Sequence, residues 1–159
     1  MQYSREFIED LAFLYMTLAA HADGKLNNAE KEAIRLVLNV WSDGYIDHEM
    51  DDLLHFAKRA TDKCDEEGTL GQEIVRIITR LSTILSRGKL KIIINDLLGV
   101  AKIDGEIHRN EEALIRTAAD AWGFKVRGEA FHSLSKNEPA QQLSYRSLAS
   151  GRRVLALAS

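Results

Sequence analysis

Phe7, Ile8, Leu11, Leu14, Tyr15, Leu18 and Ala22 recur at steps of three and four residues. At 3.6 residues per turn they share one face, so the spacing predicts a first helix from about Arg5 to Ala22. Gly24 can take the positive φ that ends it. Asn27 then reads as an N-cap, with Glu30 three residues on completing a capping box, and a second helix runs to about Trp41 with Ile34, Val37, Leu38 and Trp41 inside. A turn at Asp43-Gly44 and a cap at Asp47 introduce a third helix over about His48 to Thr61. The acidic stretch Asp62 to Glu67, closed by Gly68, reads as an exposed connector. The most regular stripe follows: Leu70, Ile74, Ile77, Ile78, Leu81, Ile84 and Leu85, a fourth helix over about Leu70 to Ser86. Gly88 breaks the pattern. Helices are then expected over Leu90 to Lys102, Arg109 to Trp122 (ended by Gly123) and Gly128 to Ser135, and Pro139 can open a last short one.

The pattern is also written twice. Asp23-Gly24-Lys25-Leu26-Asn27-Asn28-Ala29-Glu30 and Asp104-Gly105-Glu106-Ile107-His108-Arg109-Asn110-Glu111 share Asp-Gly-x-[Leu/Ile]-x-x-x-Glu at an offset of 81 residues. The register continues: Arg35 matches Arg116 and Trp41 matches Trp122. The expected architecture is therefore all-α, about seven helices in two pseudo-symmetric repeats, about 5–62 and 88–136, each needing the other to bury its core. The length of 159 residues suits one domain over 1–159.

Composition narrows the function classes. With a single proline and few β-branched clusters beyond Ile92-Ile93-Ile94, the chain favours helices. A net charge of −3 offers no field for nucleic acid. The longest nearly uncharged run, Leu11 to Ala20, is too short to cross a bilayer, and Met1 to Glu6 does not read as a signal peptide. Cys64 is the only cysteine and fits a reducing cytosol; its neighbours Asp62, Asp65, Glu66 and Glu67 disfavour a nucleophilic thiolate. Gly-x-Ser-x-Gly, Gly-x-x-x-x-Gly-Lys and Gly-x-Gly-x-x-Gly are all missing, so an enzyme is not expected.

Three constellations could hold a metal. Asp23 and Glu30 stand at the spacing of positions five and twelve of an EF-hand loop, with Gly24 at the glycine position. Positions one and three would be Ala19 and His21, or Val100 and Lys102 in the second copy, so neither loop is a complete calcium site. Two half-sites together would supply four carboxylates. Turn and cap chemistry explains the same residues without a metal, although His108 is a poor cap and Glu111 is nevertheless present. Secondly, His48, Asp51, Asp52 and His55 form one stripe of the third helix, suited to a transition metal. Met50, Leu53, Leu54 and Ala57 make the buried face, which puts the histidine stripe in solvent. Thirdly, Asp52-x-x-His55 and Glu129-x-x-His132 match the spacing of di-iron bundles, but Asp52 and His55 point away from the apolar face.

The sequence around the first turn, His21 to Glu30, resembles the signature of the TerB tellurite-resistance family, whose domain type also occurs in the DjlA co-chaperones. Asp104 to Glu111 resembles the partner motif in the family's second half, and the resemblance spans about Arg5 to Ser147. It implies an all-α fold of two helical repeats and a cytoplasmic, non-enzymatic role in resistance to tellurite and other stress. It implies a divalent metal ion (calcium, magnesium, manganese or zinc) on Asp23, Glu30, Asp104 and Glu111. It also implies partnership with other tellurite-resistance proteins near a membrane complex, without membrane insertion, and leaves a homo-oligomer open. His108 and Arg109 depart from the small or acidic residues expected after the second turn, and Arg109 could pair with a carboxylate. No His-Pro-Asp of a J-domain is present. The rival readings are a metal-free helical interaction module and a carboxylate/histidine metalloenzyme.

Overall fold

The computed structural model describes residues 3–22, 26–45, 47–103, 105–128 and 157–158. Six α-helices fill the described residues: α1 (Arg5–Met16), α2 (Asn28–Trp41), α3 (Asp47–Glu67), α4 (Leu70–Ile84), α5 (Arg87–Ala101) and α6 (Arg109–Ala121). The seventh helix expected near 128–135, and the short one at Pro139, lie almost wholly outside the described residues. Strands β1 (Lys125–Val126) and β2 (Leu157–Ala158) pair antiparallel, Lys125 opposite Ala158. The fold is all-α apart from this two-residue ladder.

Helices α1 and α5 are the core of the molecule. Every residue of α1 from Phe7 to Met16 is buried except Glu9, and every residue of α5 from Ile93 to Ala101 is buried. A helix covered all round must sit at the centre, which explains the uncharged run Leu11 to Ala20. α1 packs against α2, α3 and α4, and α5 against α2, α4 and α6. The outer helices show one apolar face each, such as Met50, Leu53, Leu54, Ala57 and Thr61 on α3.

Past Met16 the chain widens into a π-helical stretch, Thr17–Ala22, which packs on α6. The Thr17 hydroxyl donates to the Phe13 carbonyl at 2.8 Å. That bond draws on a carbonyl of the helical ladder at the point where the ladder changes register. π turns of this kind concentrate at functional sites; this one leads into the first Asp-Gly turn.

Three expectations are corrected. The acidic stretch 62–67 is not a connector but the last turns of α3, where Lys58 Nζ reaches Asp62 at 2.7 Å one turn on. Gly88 does not break a helix; it lies in the first turn of α5, which Ser86 caps by accepting from the Lys89 N–H. Ile84 is not in the core: it is 53% exposed, because α4 ends there and the chain turns away. Gly123 does end α6, at φ +80°.

Candidate functional site: the two glutamate caps and the buried Tyr15–Asp96 contact

The capping box at the start of α2 is formed as the spacing requires. Asn27 Oδ1 accepts from the Glu30 N–H at 2.8 Å, and Glu30 Oε1 accepts from the Asn27 N–H at 3.1 Å. At the start of α6, Glu111 Oε1 accepts from the His108 N–H at 2.9 Å. The idea that Glu111 lacks a capping partner is thus corrected, since the glutamate half of a capping box needs only a main-chain amide. Replacing Asn27 by Ala should cost about 1 kcal/mol of stability in a denaturant titration, by removing the acceptor for the Glu30 amide.

Both glutamates are 1% exposed. A cap alone does not require this, because the N-terminal turn of a surface helix is a comfortable place for a solvated carboxylate. Sealing a carboxylate from water is costly unless charge or hydrogen bonds compensate. Glu30 and Glu111 therefore face inward on equivalent helix ends, each anchored through Oε1 to its own cap. Asp23 and Asp104, the other two expected ligands, lie outside the described residues. Among the described residues no three His, Cys, Asp or Glu side chains gather in a metal-sized group.

The second turn shows its backbone more fully. Gly105 has φ +101°, a value that disfavours any side chain, and its N–H donates to the Lys102 carbonyl at 2.9 Å. Lys102 is itself only 3% exposed, and burial pulls its amine down to about 8. It occupies the register position of His21. Arg109 is exposed and makes no ion pair among the described residues.

The histidine stripe behaves as its helix face predicts. His48, Asp51, Asp52 and His55 are all exposed. His48 Nε2 lies 3.4 Å from Asp52 Oδ2, and Asp51 is taken by Arg35, whose hydrogen bond holds that carboxyl below its usual range. Asp52 and His55 line a cavity of about 420 Å³ with Met16, Leu26, Lys31 and Lys58. The mixed charges of this lining, and the commitment of Asp51 to Arg35, do not make a transition-metal site. The di-iron spacing fails on the same ground for Asp52 and His55; Glu129 and His132 lie outside the described residues.

Sequence reasoning missed the most unusual polar cluster. Asp96, 3% exposed in the middle of α5, accepts from the Tyr15 hydroxyl at 3.1 Å and from Trp41 Nε1 at 3.5 Å. Burial pushes the Asp96 carboxyl up to about 7, against the two donors that favour its charged form. Burial and the neighbouring carboxylate push the Tyr15 hydroxyl well above its ordinary value. Tyr15 and Asp96 are 81 residues apart, the offset of the two Asp-Gly turns. The same register position from each copy therefore meets at the centre of the protein, one a phenol and the other a carboxyl. The signal was present in the register, where Asn95 and Asp96 interrupt an apolar run.

The family model described as "Tellurite resistance protein TerB" matches residues 10–135. No curated protein and no solved structure matches the chain.

Proposed function

Because this chain belongs to the tellurite resistance protein TerB family, with the match covering most of its length, we propose that it is a non-enzymatic, cytoplasmic stress-response domain that binds a divalent cation. Asp23 and Glu30 from the first turn, and Asp104 and Glu111 from the second, are the proposed ligands. The observation that carries this reading is the burial of both capping glutamates. Two carboxylates withdrawn from water at equivalent helix ends are hard oxygen donors, the kind that calcium, magnesium and manganese take. A bound ion would tie each turn to its helix. In the proposed setting the domain acts as a metal-dependent scaffold for other tellurite-resistance proteins. No tellurium chemistry is assigned to it, since Cys64 is a lone, half-buried thiol.

Calorimetric titration of calcium, magnesium, manganese and zinc into chelator-stripped protein tests this directly. Wild type should bind at least one ion saturably. At a hundredfold excess over Kd the ion should stabilise the fold by about 2.7 kcal/mol. The Asp23→Asn/Asp104→Asn variant should lose the binding. Glu30→Gln/Glu111→Gln is the sharper control, because glutamine still accepts the cap hydrogen bond but carries no charge. Equal binding by that variant would reduce the glutamates to caps.

A metal-free interaction module is the second reading, favoured by four large apolar side chains left in solvent among the described residues: Val40, Phe56, Val75 and Ile84, each at least 41% exposed. It predicts no thermal response to any of the four ions.

A further inference from the structure

We propose that the π-helical stretch Thr17–Ala22 is a two-register switch, which exchanges with an α-helical form and passes the position of the first Asp-Gly turn to α6. The repeat shows the second form. Shifted by the 81-residue offset, the stretch corresponds to residues 98–103. There the chain stays α-helical to Ala101 and then tightens: the Lys102 N–H donates to the Leu98 carbonyl at 3.1 Å, and the Ile103 N–H to the Val100 carbonyl at 3.2 Å. One copy winds wide where the other winds tight. Yet both stretches hang between equivalent anchors. On the near side Tyr15 meets Asp96, its own counterpart in the repeat. On the far side α2 begins at Asn28 and α6 at Arg109, in the same register. The same number of residues therefore joins core to cap in either winding, and a change of register requires no slip at either anchor.

One side chain accounts for the difference. Thr17 stands where the second copy has Leu98. Its hydroxyl donates to the Phe13 carbonyl at 2.8 Å, while its N–H is shared between the Phe13 and Leu14 carbonyls. A second donor on that carbonyl weakens the α-helical ladder at the residue where the chain widens. Leu98 has no hydroxyl to do the same. The bias is one hydrogen bond, small enough to leave the other register populated. The surroundings permit rewinding. Of the buried residues that follow Thr17, Ala19 and Ala20 are small. A cavity of about 400 Å³ lies against Thr17, walled by Leu70, Ile74, Leu114 and Thr117. Leu114 and Thr117 belong to α6, on which the π-helical stretch packs. Taking up or releasing one residue turns the end of the stretch by about 100° and moves it by about 1.5 Å. That step re-aims the entry to the first turn and alters the packing on α6 together. Anything that holds the first turn in one place, the proposed cation included, then selects one register.

Backbone relaxation dispersion on the chelator-stripped full chain reads exchange on the μs–ms scale. The amides of residues 17–22, Leu114 and Thr117 should exchange at one common rate, and those of residues 98–101 should be flat. Thr17→Val keeps the shape and removes the hydroxyl. It should lower the ratio of π to α form about fivefold, the worth of one hydrogen bond, with the Cα shifts of residues 18–20 moving towards α-helical values. Thr17→Ser keeps the hydroxyl and should stay near wild type. Flat profiles at residues 17–22 together with unmoved Cα shifts in Thr17→Val would overturn the switch. Exchange there that Leu114 and Thr117 do not share would overturn its coupling to α6. Calcium, at a concentration that saturates the calorimetric titration, should quench the exchange at residues 17–22. Calcium that binds and leaves the exchange intact would overturn selection of a register by the turn. Persistent exchange with no calcium bound would support the switch and count only against calcium at the turn.

Discussion

Replacing Asp96 by Asn should make the protein more stable above neutral pH, and the gain should vanish in acid. Asp96 is buried on α5 with two neutral donors, Tyr15 and Trp41, and no cation beside its carboxyl among the hydrogen bonds and ion pairs of the described residues. Its carboxyl titrates at 3.8 in an ordinary setting and at about 7 in the folded protein. Below pH 4 both states hold the proton. As pH rises towards 7 the unfolded chain releases it and the folded one does not, so folding loses stability across this window. The full interval corresponds to about 4 kcal/mol, a large part of the 5–15 kcal/mol that holds a typical domain together. Any fixed cost of the amide's extra N–H is the same at every pH, so the slope is the clean readout. Urea titrations from pH 4 to 8 should show the wild type falling relative to Asp96→Asn; parallel curves would mean the carboxyl is solvated or otherwise compensated. Lys102 acts on the other side of neutrality. Its folded amine titrates at about 8 and its free value is 10.5, so stability should recover between these values as the folded state sheds the proton first. Together the two groups place a minimum of stability near pH 7 to 8, and Lys102→Met should flatten its alkaline arm.

Those two groups also mark where sequence reading ends. Helix positions were legible because apolar periodicity directly encodes a helix face: Ile34, Val37, Leu38 and Trp41 of α2 and Met50, Leu53, Leu54 and Ala57 of α3 are buried as the spacing predicts. The capping box at Asn27 and Glu30 was legible for the same reason, since both partners lie within one turn of sequence. What periodicity cannot express is whether a helix has one covered face or is covered all round. α1 and α5 are central, and for them polar letters no longer mark the solvent side. Asp10, Asn95, Asp96 and Lys102 are all buried. Nor does periodicity distinguish an acidic connector from an acidic helix end: residues 62–67 stay helical because Thr61 is buried and Lys58 pairs with Asp62. Of the candidate site, the glutamates' role as caps was readable but their burial was not, because burial depends on which helices cover the N-termini of α2 and α6.

The matched tryptophans test whether equivalent positions in the two copies do equivalent work. Trp41 and Trp122 each close an amphipathic helix and are 4% and 6% exposed. Truncating either to alanine should cost about 3–5 kcal/mol, the usual cost of emptying a buried aromatic site. Their partners differ, however. Trp122 Nε1 donates to the Ile78 carbonyl at 2.9 Å and so pins α6 to α4. Trp41 lies against Tyr3 and Phe7, with the Lys89 ammonium 5.8 Å from its ring, and points its Nε1 at Asp96. Phenylalanine in place of either keeps most of the apolar body and removes only the N–H. At position 122 that loss involves a neutral backbone acceptor, so Trp122→Phe should destabilise by the same amount at pH 5 and pH 8. At position 41 it removes a donor that favours the charged form of Asp96, raising that carboxyl further. Trp41→Phe should therefore cost more at pH 8 than at pH 5, and the excess should disappear in an Asp96→Asn background. An equal pH dependence for the two variants would show that Trp41 serves only as packing. The Asp96 carboxyl would then rest on Tyr15 alone.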